Sequence, residues 1–326
     1  MQQTKARLIL ERSLIPIGVY SFEFACTHYV IPPWYSNEGK LYRVLRFNND
    51  DVFLVSMHSD NPLRSTRISY SVYGDKELSD LNAKRIEETL YRSLQLVAPI
   101  NAKIQDIAKD DPVVLAALNH NGISRGKLYP DLFEALCGIV CAQRASFSRV
   151  PKMMGCLAYA LAPHIVIDEG EFAAFPRPDE IIRGGLDALV NCGLGFRAKR
   201  IYELSKSWIE IDLESNLGLS PEDLIPKLQQ LFGVGPYTAN LAVTLTTGKA
   251  QAPHIDSYVC ALLSHFYFEN QEVEESIALK FVIDRWGDAA EKIIDLLTTD
   301  TQEWASPLGY ELKVKSGAKS KYVQKI

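Results

Sequence analysis

The chain has 326 residues, 47% of them hydrophobic and 23% charged, enough apolar material for sizeable cores in about two or three subdomains. No run of about 18 apolar residues occurs, and Leu8-Ile9-Leu10 is cut short by Glu11-Arg12, which argues against a membrane span and a secretory leader. The net charge of -5 argues mildly against nucleic acid as a partner, although the local field at a contact surface is what decides that.

In chain order, Lys40-Leu41-Tyr42-Arg43-Val44-Leu45-Arg46-Phe47 reads as a strand with imperfect alternation, ending at the turn cluster Asn48-Asn49-Asp50-Asp51. Val52 to Met57 resumes as a second strand, which predicts a hairpin, and Arg67 to Tyr73 alternates as a half-buried strand does. From about residue 77 the pattern turns helical and largely stays so. Lys84 to Leu96 has helix-forming composition. Asp131 to Gln143 is a helix with Asp131 as N-cap, Glu134 completing a capping-box pattern, and Leu132, Phe133, Leu136, Val140 and Cys141 as its apolar face. Pro151, Pro163, Pro176 and Pro178 punctuate the chain beyond that helix. Strands followed by many helices predict an α+β fold, with an N-terminal antiparallel sheet domain and a mostly helical body. Basic residues cluster at Arg197, Lys199 and Arg200, and again at Lys313, Lys315, Lys319, Lys321 and Lys325. The six cysteines, Cys26, Cys137, Cys141, Cys156, Cys192 and Cys260, form no C-x-x-C pair and read as buried free thiols of a reducing compartment. A metal or iron–sulfur site would need tighter clustering.

The chemistry concentrates between Leu228 and Val259. A short helix is expected to end near Leu231. Gly233 and Gly235 permit a tight turn and close approach of a partner, and Pro236 opens a helix that runs to about Thr247 and stops at Gly248. A glycine-rich turn opening a helix presents N–H groups at a positive dipole end, suited to a phosphate. The plainer alternative is an αα-hairpin without a ligand.

Leu228-x-x-Leu231-Phe232-Gly233-Val234-Gly235-Pro236-Tyr237-Thr238-Ala239, followed by Asp256 twenty-one residues after Gly235, resembles the helix-hairpin-helix and Gly/Pro…Asp signature of the DNA glycosylase superfamily. Asp110-Asp111-Pro112, Pro130 to Leu136 and Cys141-Ala142-Gln143 are similar in content and order to the 3-methyladenine-DNA glycosylase II branch, and Cys192 to Arg200 resembles the superfamily's loop-to-helix segment before the hairpin. The likeness covers roughly residues 105–265.

That resemblance implies a two-lobed helical glycosylase core behind the sheet domain. The sheet domain would span 1–105, one helical lobe 106–130 plus 248–326, and a bundle ending in the hairpin 131–247. It implies a partner, duplex DNA containing damaged bases, and a monomer that acts by base flipping without a membrane. The setting would be intracellular: cytoplasm or nucleoid in a prokaryote, nucleus in a eukaryote. Asp256 would be the catalytic carboxylate, and Tyr237, Leu241 and Trp286 would line the base pocket. Gly233, Val234, Gly235, Thr238, Gln143, Arg144, Arg197 and Lys199 would contact DNA, with Arg200 beside them. Tyr237 stands where bifunctional members keep a lysine, which implies a hydrolase without lyase activity. Lys249 has no claim to that role. His254 reads as structural. No cofactor is required, although a monovalent cation on the hairpin carbonyls is compatible. The four-cysteine iron–sulfur loop is missing after Cys260. The alternatives are an 8-oxoguanine glycosylase/lyase and a non-catalytic DNA-binding protein.

Overall fold

Five N-terminal strands form an antiparallel sheet in the spatial order Arg7–Leu14, Ile68–Gly74, Val52–His58, Lys40–Arg46 and Trp34–Asn37. In a computed structural model the described residues are 3–47, 51–97, 102–249 and 253–309, so the lysines from Lys313 to Lys325 lie outside them. The strands are β1 (Gln3–Lys5), β2 (Arg7–Leu14), β3 (Trp34–Asn37), β4 (Lys40–Arg46), β5 (Val52–His58) and β6 (Ile68–Gly74), with a short helix α1 (Phe22–Thr27) between β2 and β3. The expected hairpin is present, with Val44 opposite Leu54. In β6 burial alternates residue by residue, while five consecutive residues of β4 are buried. The imperfect alternation of β4 has a physical cause: both faces of the sheet are covered.

One face packs under α1 and α2 (Asp80–Ser93), where Leu41, Leu45, Val55, Tyr70, Ile86 and Leu90 share a core. The other face, with Tyr42, Val44 and Leu54, meets Ile165, Ile167 and Phe172. Those three come from β7 (His164–Ile167) and β8 (Gly170–Ala173), a hairpin inside the stretch expected to be helical. β1 pairs in parallel with β7, with Gln3 opposite His164, so β1 belongs to this second sheet.

The other described elements are mainly α-helices: α3 (Ala102–Asp110), α4 (Pro112–Asn121), α5 (Leu132–Ala142), α6 (Val150–Leu161), α7 (Pro178–Asn191), α8 (Arg197–Glu210), α9 (Pro221–Leu228), α10 (Pro236–Thr247), α11 (Ser257–Tyr267), α12 (Glu275–Trp286), α13 (Ala290–Thr298) and α14 (Thr301–Ala305). α5 to α10 enclose one core, and α3, α4 and α11 to α14 enclose another. The second core thus joins helices from before and after the bundle. α2 starts four residues before the helix-forming window because Ser79 caps it, accepting from the Asn82 N–H. Asp131 caps α5 through the Glu134 N–H at 2.9 Å, as expected. The other half of the capping box fails: the buried Glu134 carboxylate pairs with Arg43 of β4.

The cysteine reading needs one correction. Cys156 on α6 and Cys192 at the end of α7 are joined in a disulfide across 36 residues of chain, a proximity created by helix packing that spacing alone does not reveal. Cys26, Cys137, Cys141 and Cys260 are buried thiols. Among the described residues no helix is long and apolar enough to cross a membrane.

Candidate active site

α9 and α10 are joined by a turn in which the Val234 N–H donates to the Leu231 carbonyl at 3.2 Å. Gly233 adopts a φ of +74°, the left-handed region where a side chain is strained, whereas Gly235 is extended and serves as the N-cap of α10. Pro236 takes the first helical position and Gly248 closes the helix in the left-handed region. Val234 is buried in the bundle core and Thr238 is also buried, so the exposed parts of the turn are Gly233, Gly235 and the aromatic Phe232. The amide end of α10 therefore opens on solvent, with an apolar anchor behind it.

Tyr237, in the first turn of α10, is 52% exposed and its ring meets the His254 ring edge-on at 5.9 Å. Burial of its hydroxyl raises the tyrosine pKa, and the charges of Asp256, Glu275 and Glu291 raise it further. Tyr237 thus sits in a negative field. Asp256 is exposed at the N-cap of α11, where its Oδ1 accepts from the Val259 N–H at 2.9 Å. That bond fixes the carboxylate, and the helix dipole favours its charge. His254 is held by Glu291 of α13, which accepts from the His254 backbone N–H at 2.8 Å and lies 3.0 Å from Nδ1. Tyr237, His254 and Asp256 are thereby gathered at the seam between the bundle and the C-terminal helices.

A second cluster surrounds a recess of about 370 Å³ lined by Gln143, Arg144, Phe196 and Arg200. Arg144 has a φ of +51°, an uncommon conformation for a non-glycine residue. Phe196 is half exposed, with the guanidinium groups of Arg197 and Arg200 at 4.5 and 5.6 Å from its ring centre. Arg200 also bonds the Gln143 side chain.

No protein-family model matches the chain. The solved 3-methyladenine DNA-glycosylase from Archaeoglobus fulgidus superposes with a TM-score of 0.74 at 19% identity, over 89% of this chain and 98% of that one. The chain has the fold of the helix-hairpin-helix DNA glycosylases. The apo 8-oxoguanine glycosylase/lyase of Clostridium acetobutylicum superposes with a TM-score of 0.65 at 16% identity, over 91% and 99% of the two chains. In sequence, a probable N-glycosylase/DNA lyase of Methanothermobacter thermautotrophicus is 23% identical over 137 residues, which span 40% of this chain and 44% of that protein.

Within this glycosylase fold several expected roles change. Arg197 is only 3% exposed and donates to the main-chain carbonyls of Gln143 and Leu194, so its guanidinium is committed to the fold and not presented to a phosphate. Lys199, two residues on, is exposed. Trp286 is 1% exposed in the C-terminal core, edge-on to Tyr267 and Phe281, which makes it a packing residue there and not a wall of an open pocket. Its neighbour Arg285 pairs with Asp111, the N-cap of α4, at 2.9 Å. Leu241 is partly buried against the bundle core. Sequence reasoning missed Phe196, Phe232 and Glu291. The exposed aromatics flank glycines in the Gly195-Phe196 and Phe232-Gly233 pairs, a usable signal, whereas Glu291 carried none.

Proposed function

We propose that this protein is a monofunctional DNA glycosylase that releases alkylated purines from duplex DNA. The observation that carries the reading is the Asp256 carboxylate, fixed at the N-cap of α11 two residues after His254, whose ring meets that of Tyr237. The damaged nucleotide is flipped out of the duplex, and its base lies against the Tyr237 ring. As the C1′–N bond breaks, its electron pair leaves with the base and positive charge builds on the sugar. Asp256 stabilises that charge and orients the water that adds to C1′. The carboxylates of Asp256, Glu275 and Glu291 around Tyr237 favour a cationic base, which a purine alkylated at N3 or N7 is in the nucleoside and an 8-oxoguanine is not. The 233–235 turn would receive a phosphate. A Cβ built on Gly233 or Gly235 meets no heavy atom within 4 Å, so the turn leaves room for the backbone of a partner.

The second reading, an 8-oxoguanine glycosylase/lyase, draws support from the Clostridium structure and the Methanothermobacter relative. It requires an amine nucleophile, and Tyr237 offers none at the start of α10.

The test uses duplexes carrying single hypoxanthine, 1,N6-ethenoadenine, uracil or 8-oxoguanine, with 3-methyladenine release from methylated DNA alongside. Wild type is compared with Asp256→Asn, before and after alkali. Base release by wild type only, with strand breaks only after alkali, supports the proposal. Breaks without alkali favour the lyase, and binding without release from any substrate favours a non-catalytic clamp.

A further inference from the structure

We propose that Glu291 and His254 form a clamp that sets the position of the Asp256 carboxylate and the Tyr237 ring, making both positioning residues; the catalytic part of this rests on the glycosylase reading above. One carboxylate holds His254 twice, by the backbone N–H at 2.8 Å and by the ring at Nδ1 at 3.0 Å. A carboxylate accepts only, so Nδ1 carries the hydrogen and the ring orientation is fixed. Both side chains are largely buried, at 14% and 24% exposed, which makes the bonds strong and their geometry hard to relax. The clamp joins three elements of the chain. Glu291 stands in the first turn of α13, His254 lies in the segment between α10 and α11, and the edge of its ring abuts Tyr237 at the start of α10. Asp256 follows His254 by two residues and has only Ile255 between, so fixing the His254 backbone fixes where the α11 cap begins. Among the described residues the buried Nε2 of His254 has no partner, so Glu291 is the polar tether of the ring there. Ile255 is buried and completes the anchor between the tether and the cap.

The test compares wild type with Glu291→Ala, Glu291→Gln and His254→Asn. It reads single-turnover base release, duplex affinity, thermal midpoint and the backbone amide resonance of Val259, whose N–H reports the Asp256 cap. Displacing a reacting group slightly costs up to about 100-fold in rate, so Glu291→Ala is expected to slow release about 10–100-fold at unchanged duplex affinity and to shift the Val259 amide. Glu291→Gln keeps an acceptor oxygen and His254→Asn keeps a donor near the Nδ1 position, so each recovers part of the rate. Wild-type release by Glu291→Ala with an unmoved Val259 amide overturns the clamp. So does a loss in which rate, affinity and thermal midpoint fall together and Gln recovers nothing. If wild type releases no base from any lesion, the glycosylase reading falls by itself, and the Val259 amide in Glu291→Ala still decides for or against the clamp.

Discussion

Arg197 gives its guanidinium to the main-chain carbonyl of Gln143, from Nε at 3.0 Å and also from Nη2. A side chain from the start of α8 thereby holds the end of α5, where Arg144 is kept in a left-handed conformation. Arg197→Ala leaves that carbonyl without its buried donor, at a cost of about 1–3 kcal/mol in denaturant unfolding. Because the guanidinium faces no solvent, any loss of duplex affinity in this variant should leave the salt dependence of binding unchanged. Lys199→Ala, from an exposed site, should reduce that slope by about one unit if Lys199 meets a phosphate. A reduced slope in Arg197→Ala would mean that its charge reaches DNA after all.

Arg197 also illustrates what the sequence could and could not convey. A basic residue in Arg197-Ala198-Lys199-Arg200 reads as a surface charge, since composition gives no sign that α5 ends beneath it. Local signals were legible: Asp131, Pro236 and Gly248 cap or punctuate helices where short-range chemistry requires it. What escaped depends on contacts between distant segments. Ile165 and Phe172 form a hairpin because the sheet face at Tyr42 and Val44 needs a cover, and Cys156 meets Cys192 because α6 and α7 pack together. Asp256 was legible through its spacing from Gly235, but the tether of its neighbour His254 to Glu291 spans 37 residues and obeys no spacing rule.

Arg43 and Glu134 form an ion pair with side chains 3% and 0% exposed, joining β4 to α5. Burial raises the Glu134 pKa and the Arg43 charge opposes that rise. Arg43→Met strands a buried carboxylate and should cost about 3–5 kcal/mol in urea unfolding, whereas pairing it with Glu134→Leu should recover most of that loss. A double variant no more stable than Arg43→Met would show that the pair contributes through packing, including the stacking of Arg43 on Trp34 at 5.3 Å.

Lys127 donates to the carbonyls of Ala25 and His28 at the end of α1, and enclosure of its ammonium pushes its pKa down to about 7. The folded pKa lies below that of the unfolded chain, so the unfolded state holds more protons between the two values. Stability should therefore rise with pH from about 7 toward 10, and the penalty should be fully present below pH 7. Thermal melts between pH 7 and 9 should show this rise in wild type and a flatter profile in Lys127→Met. Equal slopes in the two proteins would remove Lys127 as the cause.

The hairpin glycines separate a requirement of the fold from a requirement of a partner. At Gly233 the positive φ makes alanine strained whatever the space, so Gly233→Ala should cost about 1–2 kcal/mol in the free protein. Gly235 is extended, and a Cβ there meets nothing within 4 Å, so Gly235→Ala should cost the free protein no more than about 1 kcal/mol, the margin by which alanine is a poorer N-cap than glycine. If a DNA phosphate lies against the amides at the start of α10, the added methyl group occupies the space it needs. Loss of one or two such hydrogen bonds then weakens duplex binding by about tenfold or more. Fluorescence anisotropy with a labelled duplex measures this directly. Gly235→Ala binding as tightly as wild type would mean that the backbone of a partner does not approach this turn, and the phosphate role of the hairpin would be withdrawn.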